Sequence, residues 1–340
     1  MELLRQRLRA ALPTALLLLV SVALFGRFWN RTIVFRDAFN FFAPNKFLIM
    51  KALGELSLPE WNPGQFLGMP FVADPQVGFF YPLNLLFLIL RFGVAHRLFL
   101  LLHYPLAAGA MCLFLKGRGL RSESAWAGAA AFALSGYLVS QHGPVRMLLG
   151  AAWAPLVFYF VGRALAGRMA MILAAAATLA IQLLAGDPET AFVTSALAAG
   201  WVMSAETRRG RPARGASLTA GLAGATFLLA AAQILPAWQM MSLSERAGGM
   251  PLEDALVFSF HPAALAEFIW PTPFGRIWPE YFFWGQFMLD ASELRAPWSY
   301  SNYLGLPALG LAGYGLSRLR GWRRWLPVAG IIFFLLLALG

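Results

Sequence analysis

Residues 147–186 read MLLGAAWAPLVFYFVGRALAGRMAMILAAAATLAIQLLAG, and this stretch decides the fold. Two apolar runs, 147–163 and 169–186, each approach the length needed to cross a hydrocarbon core about 30 Å thick. The only charges between and within them are Arg163 and Arg168, and no acid occurs. A helix pair of a soluble protein would keep a polar face toward water, and neither run has one.

The same pattern recurs in both directions along the chain. Candidate spans lie at 11–29, 95–115, 123–140, 147–163, 169–186, 189–205, 217–236, 302–318 and 326–340, nine in all. The stretch 82–93 is apolar but short and reads as a re-entrant or interfacial helix. Composition agrees: 59% of the 340 residues are apolar and 13% charged, about half the charged fraction of a soluble domain. Recurrence along the whole chain excludes a signal peptide followed by a soluble domain. The single cysteine, Cys112, lies inside a span, which excludes intrachain disulfides and cysteine-based metal clusters.

Charge orients the bundle. With the N-terminus in the cytoplasm, nine spans place five segments inside: Arg5–Arg9, Lys116–Arg121, Arg163–Arg168, Arg208–Arg214 and Arg318–Arg324. With their flanking residues Glu2, Glu123 and Glu206, these carry 16 of the 27 Lys and Arg residues and three of the 16 acids, for +13 inside and −2 on the remainder. That is the asymmetry of the positive-inside rule. It accounts for the pI near 10.5 through anionic lipid headgroups, without nucleic acid. The expectation is a multi-pass protein of a bacterial-type inner (plasma) membrane.

Two outward segments exceed what a connector needs, 30–83 and 237–301. Both are rich in rings, among them Trp61, Phe71, Phe79, Phe80, Tyr81, Trp238, Trp270 and Trp284. Such rings serve as a headgroup-level belt, or alternatively stack on a sugar or pack around a lipid tail. The first segment carries Asp37, Phe41-Phe42-Ala43-Pro44, Trp61-Asn62-Pro63, Gly68-Met69-Pro70-Phe71, Asp74-Pro75-Gln76 and Tyr81-Pro82-Leu83-Asn84. This density of Pro, Gly and Asn specifies defined turns, with a short helix within 38–55 presenting Phe39, Phe42, Ala43, Phe47 and Met50 at helical spacing.

In these motifs the chain resembles the YfhO-like bacterial membrane proteins, placed among the GT-C glycosyltransferases. The resemblance extends through Gln233-Ile234-Leu235-Pro236, Ser244-Glu245-Arg246, Glu267-Phe268-Ile269-Trp270-Pro271 and Tyr303-Leu304-Gly305, and so covers about residues 30–310. It implies an all-α GT-C-like membrane bundle whose first outward loop forms much of the active site. The implied activity is transfer of a sugar from a polyprenyl-phosphate carrier to a glycan, lipid or cell-wall acceptor outside the cytoplasm. The resembling proteins continue beyond residue 340, so the chain is expected to be part of a longer one.

The resemblance places Asp37 at the position of the catalytic acid. A carboxylate there accepts the acceptor hydroxyl's proton, or holds a divalent cation (Mg or Mn) together with Asp74 against the carrier phosphate. The competing reading pairs Asp37 with Arg36 or Arg31. Asp74 opens an Asp-Pro turn, and Gln76 after it can hydrogen-bond sugar hydroxyls. The turn Gly186-Asp187-Pro188-Glu189 stands where the family has G-H-P-Q, so both polar positions are acidic here. Asp187 and Glu189 read as a cation or sugar site, or as a helix N-cap. Candidate phosphate ligands are Arg36, Arg146 beside His142, and Arg246, since a guanidinium donates two hydrogen bonds at once. Glu267 completes the set from the second outward segment. A flippase or transporter of a lipid-linked substrate is the alternative function, and a non-catalytic scaffold the third.

Overall fold

The computed structural model describes residues 37–339 apart from 66, 142, 144, 257–258, 277–281, 288–298 and 300. The proposed first span at 11–29, together with Arg36 and His142, lies outside the described residues. The described chain is almost wholly helical and divides into two units.

In the first unit, a π-turn at Ala38–Phe42 leads into α1 (Ala43–Gly54), with Pro44 in its first turn where the missing N–H costs nothing. A two-residue antiparallel pair follows, β1 (Trp61–Asn62) with β2 (Met69–Pro70). Next come 3₁₀ turns at Pro75–Val77 and Pro82–Leu85 and the single helical turn α2 (Leu86–Ile89). The bundle is built from α3 (Phe92–Leu101), α4 (His103–Gly117) and α5 (Ser122–Ala133). Beyond α6 (Gly136–Ser140), a short helix of the second unit, the bundle continues with α7 (Val145–Leu165), α8 (Met171–Leu184), α9 (Pro188–Arg208) and α10 (Pro212–Ser242). α4 packs on α5 and α7, α7 on α8 and α9, and α10 on α8 and α9.

Three stretches among the described residues are long and apolar enough to cross a membrane: Phe92–Gly117, Val145–Leu165 and Pro212–Ser242. They coincide with the expected spans at 95–115, 147–163 and 217–236. Met171–Leu184 and Pro327–Leu339 are shorter apolar helices on two further expected spans. The run 123–140 departs from expectation. It breaks after Ala133, where Ser135 takes an extended ψ of 149° and its hydroxyl accepts the Leu138 N–H. The run 82–93 is likewise a 3₁₀ turn and one helical turn, ended at Leu90 by an extended backbone.

Small side chains set how closely the helices approach. Val157, Val161, Ala164, Ala175, Ala176, Leu179, Ala198, Val202, Leu218 and Leu222 form one buried cluster across α7–α10. Where lipid and side chain are equally apolar, such close packing and interhelical hydrogen bonds replace the hydrophobic drive. Gln182, wholly buried, donates to Gly150 O at 2.7 Å across the α8–α7 contact. At the basic end, buried Glu206 pairs with Arg209 at 2.7 Å and Arg214 at 3.6 Å, and Arg209 also donates to Leu165 O.

The second unit comprises α6, α11 (Leu252–Leu256), a 3₁₀ helix at Pro262–Phe268, the pair β3 (Gly275–Arg276) with β4 (Phe282–Phe283), α12 (Leu306–Arg318) and α13 (Trp325–Leu339). Its small core is Ala264, Phe274 and Phe283. Within it Gly136 N–H donates to Tyr303 O at 2.7 Å, and Phe260 N–H to Ala338 O at 2.6 Å.

Candidate functional site

The segment expected to be the first outward loop is folded around its own motifs. Trp61 of W-N-P pairs with Pro70 of G-M-P-F, and Gly68 lets the Trp61 indole lie where a Cβ would stand. Phe71, Val72, Val77 and Phe79 bury against Ile49 and Ala52 of α1. Lys46, 2% exposed, threads the loop from beneath, donating to Val77 O at 3.2 Å and Asn84 Oδ1 at 3.0 Å. Asn84 in turn donates to Gly78 O and Phe79 O, fixing the Y-P-L-N end. Burial drags the Lys46 ammonium from 10.5 down to about 7.

The loop then docks on the bundle. Tyr81 OH meets His103 Nε2 at 2.6 Å and accepts from Trp153 Nε1, while Gln233 of the Q-I-L-P segment donates to Val72 O at 2.9 Å. The closest contact joins the two Asp-Pro turns. Gly186, at φ +96°, puts its Cα where an added Cβ would stand 2.9 Å from both Pro75 O and Gln76 O. Gly78, at φ +61°, faces Ala185 O in the same way at 3.0 Å. Two glycines in the left-handed region thus bring D-P-Q and G-D-P-E face to face.

Asp74, Arg146, Asp187 and Glu189 meet at this contact. Asp74 is buried, and its Oδ1 accepts the Gln76 N–H at 2.9 Å. Burial raises its pKa, opposed by that N–H and by the positive charge of Arg146. Asp187, 1% exposed, caps α9: Oδ1 accepts the Thr190 N–H at 3.1 Å with Pro188 in the first turn. Its Oδ2 has no hydrogen-bond partner among the described residues and lies against Gly150, where an added Cβ would overlap it. Arg146, at the N-terminal end of α7, directs Nη1 to Glu189 Oε2 and stands 3.9 Å from Asp187 Oδ1. The Arg146 side chain is 9% exposed and that of Glu189 64%.

The remaining sequence candidates fall as follows. Asp37 is half-buried at the start of the π-turn, with no hydrogen bond or ion pair to a described residue. Its neighbours Ala38 and Phe42 belong to one buried cluster with Tyr81, Val145, Leu149 and Ala185. Gln76 is exposed beside Asp74. Arg246 is exposed on a 3₁₀ turn, its N–H on Ser244 Oγ. Glu267 belongs to the second unit, where Asn302 donates to its Oε2 and burial raises its pKa. Arg36 and His142 lie outside the described residues. Among the described residues no group of three or more His, Cys, Asp or Glu is arranged to hold a metal ion.

Sequence reasoning passed over Lys46 and Gly78, and quoted Asn84 and Gly186 as members of motifs without assigning them a role. The two glycines leave one trace in the sequence, a shared pattern in which each flanks an Asp-Pro turn.

Asp187 gives a pH test. Burial, opposed by Thr190 and Arg146, pushes its carboxyl from 3.8 up to about 6. Between these values the folded state holds more protons than the unfolded, so stability falls as pH rises through the window and stays reduced above it. Asp187→Asn keeps the cap and removes the ionisation. It should raise the unfolding free energy by roughly 1–3 kcal/mol at about pH 8 and leave it unchanged near pH 4. Thermal unfolding in nanodiscs at both pH values measures this, and a loss at the higher pH would mean that the Arg146 pair outweighs burial.

Comparison of the chain with protein-family models, with curated proteins and with solved structures returns no match.

Proposed function

We propose that the protein is a membrane glycosyltransferase of the YfhO-like, GT-C type. In this reading it has nine spans and a cytoplasmic N-terminus in a bacterial inner membrane, and it uses a polyprenyl-phosphate sugar. One observation carries the reading: two acid-bearing Asp-Pro turns docked around a buried arginine at the outer end of the bundle. Carboxylates and Gln76 accept and donate to sugar hydroxyls, and a guanidinium recognises phosphate. A flippase needs no folded loop locked onto the bundle by this many polar contacts.

Asp37 serves as the base. Its carboxylate takes the proton of the acceptor hydroxyl as that oxygen bonds the anomeric carbon, and the carrier phosphate leaves with the electrons of the broken C–O bond. If a divalent cation is used, Asp37 and Asp74 are the residues that would hold it and it would supply neutralisation of the carrier phosphate, a variant of this scheme that a chelator tests. The assay is transfer from a radiolabelled polyprenyl-phosphate sugar in proteoliposomes, with and without chelator. Label moved to the other leaflet but never to an acceptor would favour the flippase.

The nine-span topology is tested separately in a Cys112→Ala background. Cysteines placed at Gly64 and Gly249 should label from outside intact cells, and one at Gly210 should not. Labelling at 210 would overturn the topology.

A further inference from the structure

Two leucines of the first loop hold a backbone conformation that disfavours them. Among the described residues, Leu56 (φ +49°) and Leu67 (φ +62°) are the non-glycine residues in the left-handed region, where a Cβ crowds the backbone. Leu56 follows the C-cap of α1. Its N–H closes on Leu53 O and the Ser57 N–H on Ala52 O, the closure that a glycine usually makes. Leu67 precedes Gly68 in the connection from β1 to β2. The protein buries neither side chain, for Leu56 is 95% exposed and Leu67 fully so. Leu58 and Trp61, between them in the chain, are also more than half exposed, and the Trp61 indole lies across Gly68 beside Leu67. Strain held at exposed apolar side chains points to something outside the chain that they meet.

What they meet follows from the depth at which the loop is fastened. α10 starts at Pro212, between Arg211 and Arg214, and rises about 1.5 Å per residue, so Gln233 lies about 30 Å along it, the thickness of a hydrocarbon core. There Gln233 donates to Val72 O of the loop, little more than a turn short of the exposed Trp238, a ring suited to the headgroup level. Tyr81 reaches deeper, accepting from Trp153 about two turns into α7. With α10 as a span, the loop is seated where hydrocarbon gives way to headgroups, and side chains exposed there face lipid.

We propose that Leu56 and Leu67, with Leu58 and Trp61 between them, anchor the loop in the lipid leaflet at this end of the bundle. The left-handed turns leave both leucines clear of the fold, and their burial in lipid offsets the backbone cost. The attachment is apolar. The exposed charges beside the patch in the chain are Lys51, Glu55 and Glu60, one cation and two acids, so attraction to anionic lipid plays no part. Such an anchor holds Asp74 and its turn at the membrane surface, against the Asp187 turn. The inference rests on α10 being a membrane span and on no catalytic role.

The test uses the full chain with Cys112→Ala in phosphatidylcholine nanodiscs. Nitroxide labels are placed through Leu56→Cys, Leu67→Cys, Leu228→Cys and Gly210→Cys, one at a time, and relaxation by oxygen and by a water-soluble nickel complex reads their depth. Labels at 56 and 67 should lie roughly 5–10 Å inside the headgroup surface. The label at 228, exposed in the middle of α10, should lie deeper, and that at 210 in water. A second measurement removes the leucines themselves. Leu56→Gly with Leu67→Gly relieves the backbone strain, so without lipid contact the double variant should hold the loop as firmly or more so. With the anchor lost, protease cleavage between residues 55 and 70 should instead speed about three- to tenfold, because cleavage follows the open population. Labels at 56 and 67 in water beside a lipid-embedded 228 would overturn the anchor and leave the patch to a protein partner. Cleavage unchanged or slower in the double variant would overturn it as well. A label at 228 in water is a different failure, since it would remove the α10 span and the anchor with it.

Discussion

Asp37→Asn should insert and fold as the parent does, yet lose sugar transfer by at least the roughly 10²–10⁴-fold of a removed general base. The substitution keeps size and most hydrogen bonding, and no described partner of the carboxylate is lost with it. Asp74→Asn separates the two schemes for the loop acids. If Asp74 only positions substrate, its loss should be smaller and should fall mainly on KM. If both acids share a cation, the two losses should be comparable and should track sensitivity to chelator. Full activity in Asp37→Asn would remove the proposed base and shift the weight to the flippase.

Gly186→Ala should disrupt the docking of the two Asp-Pro turns. The residue sits at φ +96°, and the new Cβ would stand 2.9 Å from two backbone carbonyl oxygens that have no flexible end to swing away. The left-handed conformation costs about 1–2 kcal/mol for a residue with a Cβ, and separating the turns forfeits the contact that seats the loop on the bundle. We expect a loss of roughly 3 kcal/mol or more, together with new protease sensitivity between residues 71 and 85. Limited proteolysis with thermal unfolding reads both. Gly249→Ala, also at positive φ but with open space around it, is the control that isolates backbone strain from the clash. Equal behaviour of the two variants would show that the docking is not tight.

How much of this was legible in the sequence follows from which physics writes a periodic signal. Runs such as 147–163 and 217–236 were readable because hydrocarbon demands length and apolarity of every residue in a span. The break inside 123–140 was not, since Ser135 ends one helix and caps the next by a single dihedral that hydropathy does not register. The loop motifs marked the right segment, but several of their residues turn out to hold the loop together. Trp61 covers Gly68, Asn84 clamps Lys46, and Gln233 ties α10 to Val72. Asp74 and Asp187 could each be nominated as acids at the outer surface. Their meeting around Arg146 could not, because it depends on two glycines more than a hundred residues apart whose only local signature is a turn.

The tie between Gln233 and Val72 also bears on how the protein is made. Its two ends are 161 residues apart in the chain. At ordinary synthesis rates of about 5–20 residues per second, the loop emerges roughly ten to thirty seconds before the helix that fastens it exists. The Arg146 contact arrives earlier, but still only after α3, α4 and α5 have been laid down. Throughout that interval Phe71, Val72 and Phe79 have only the loop and α1 to shelter them. Docking of the loop on the bundle is thus a late event, governed by the order of synthesis, and a slow-growing chain would leave the loop open to proteases and holdases for longer.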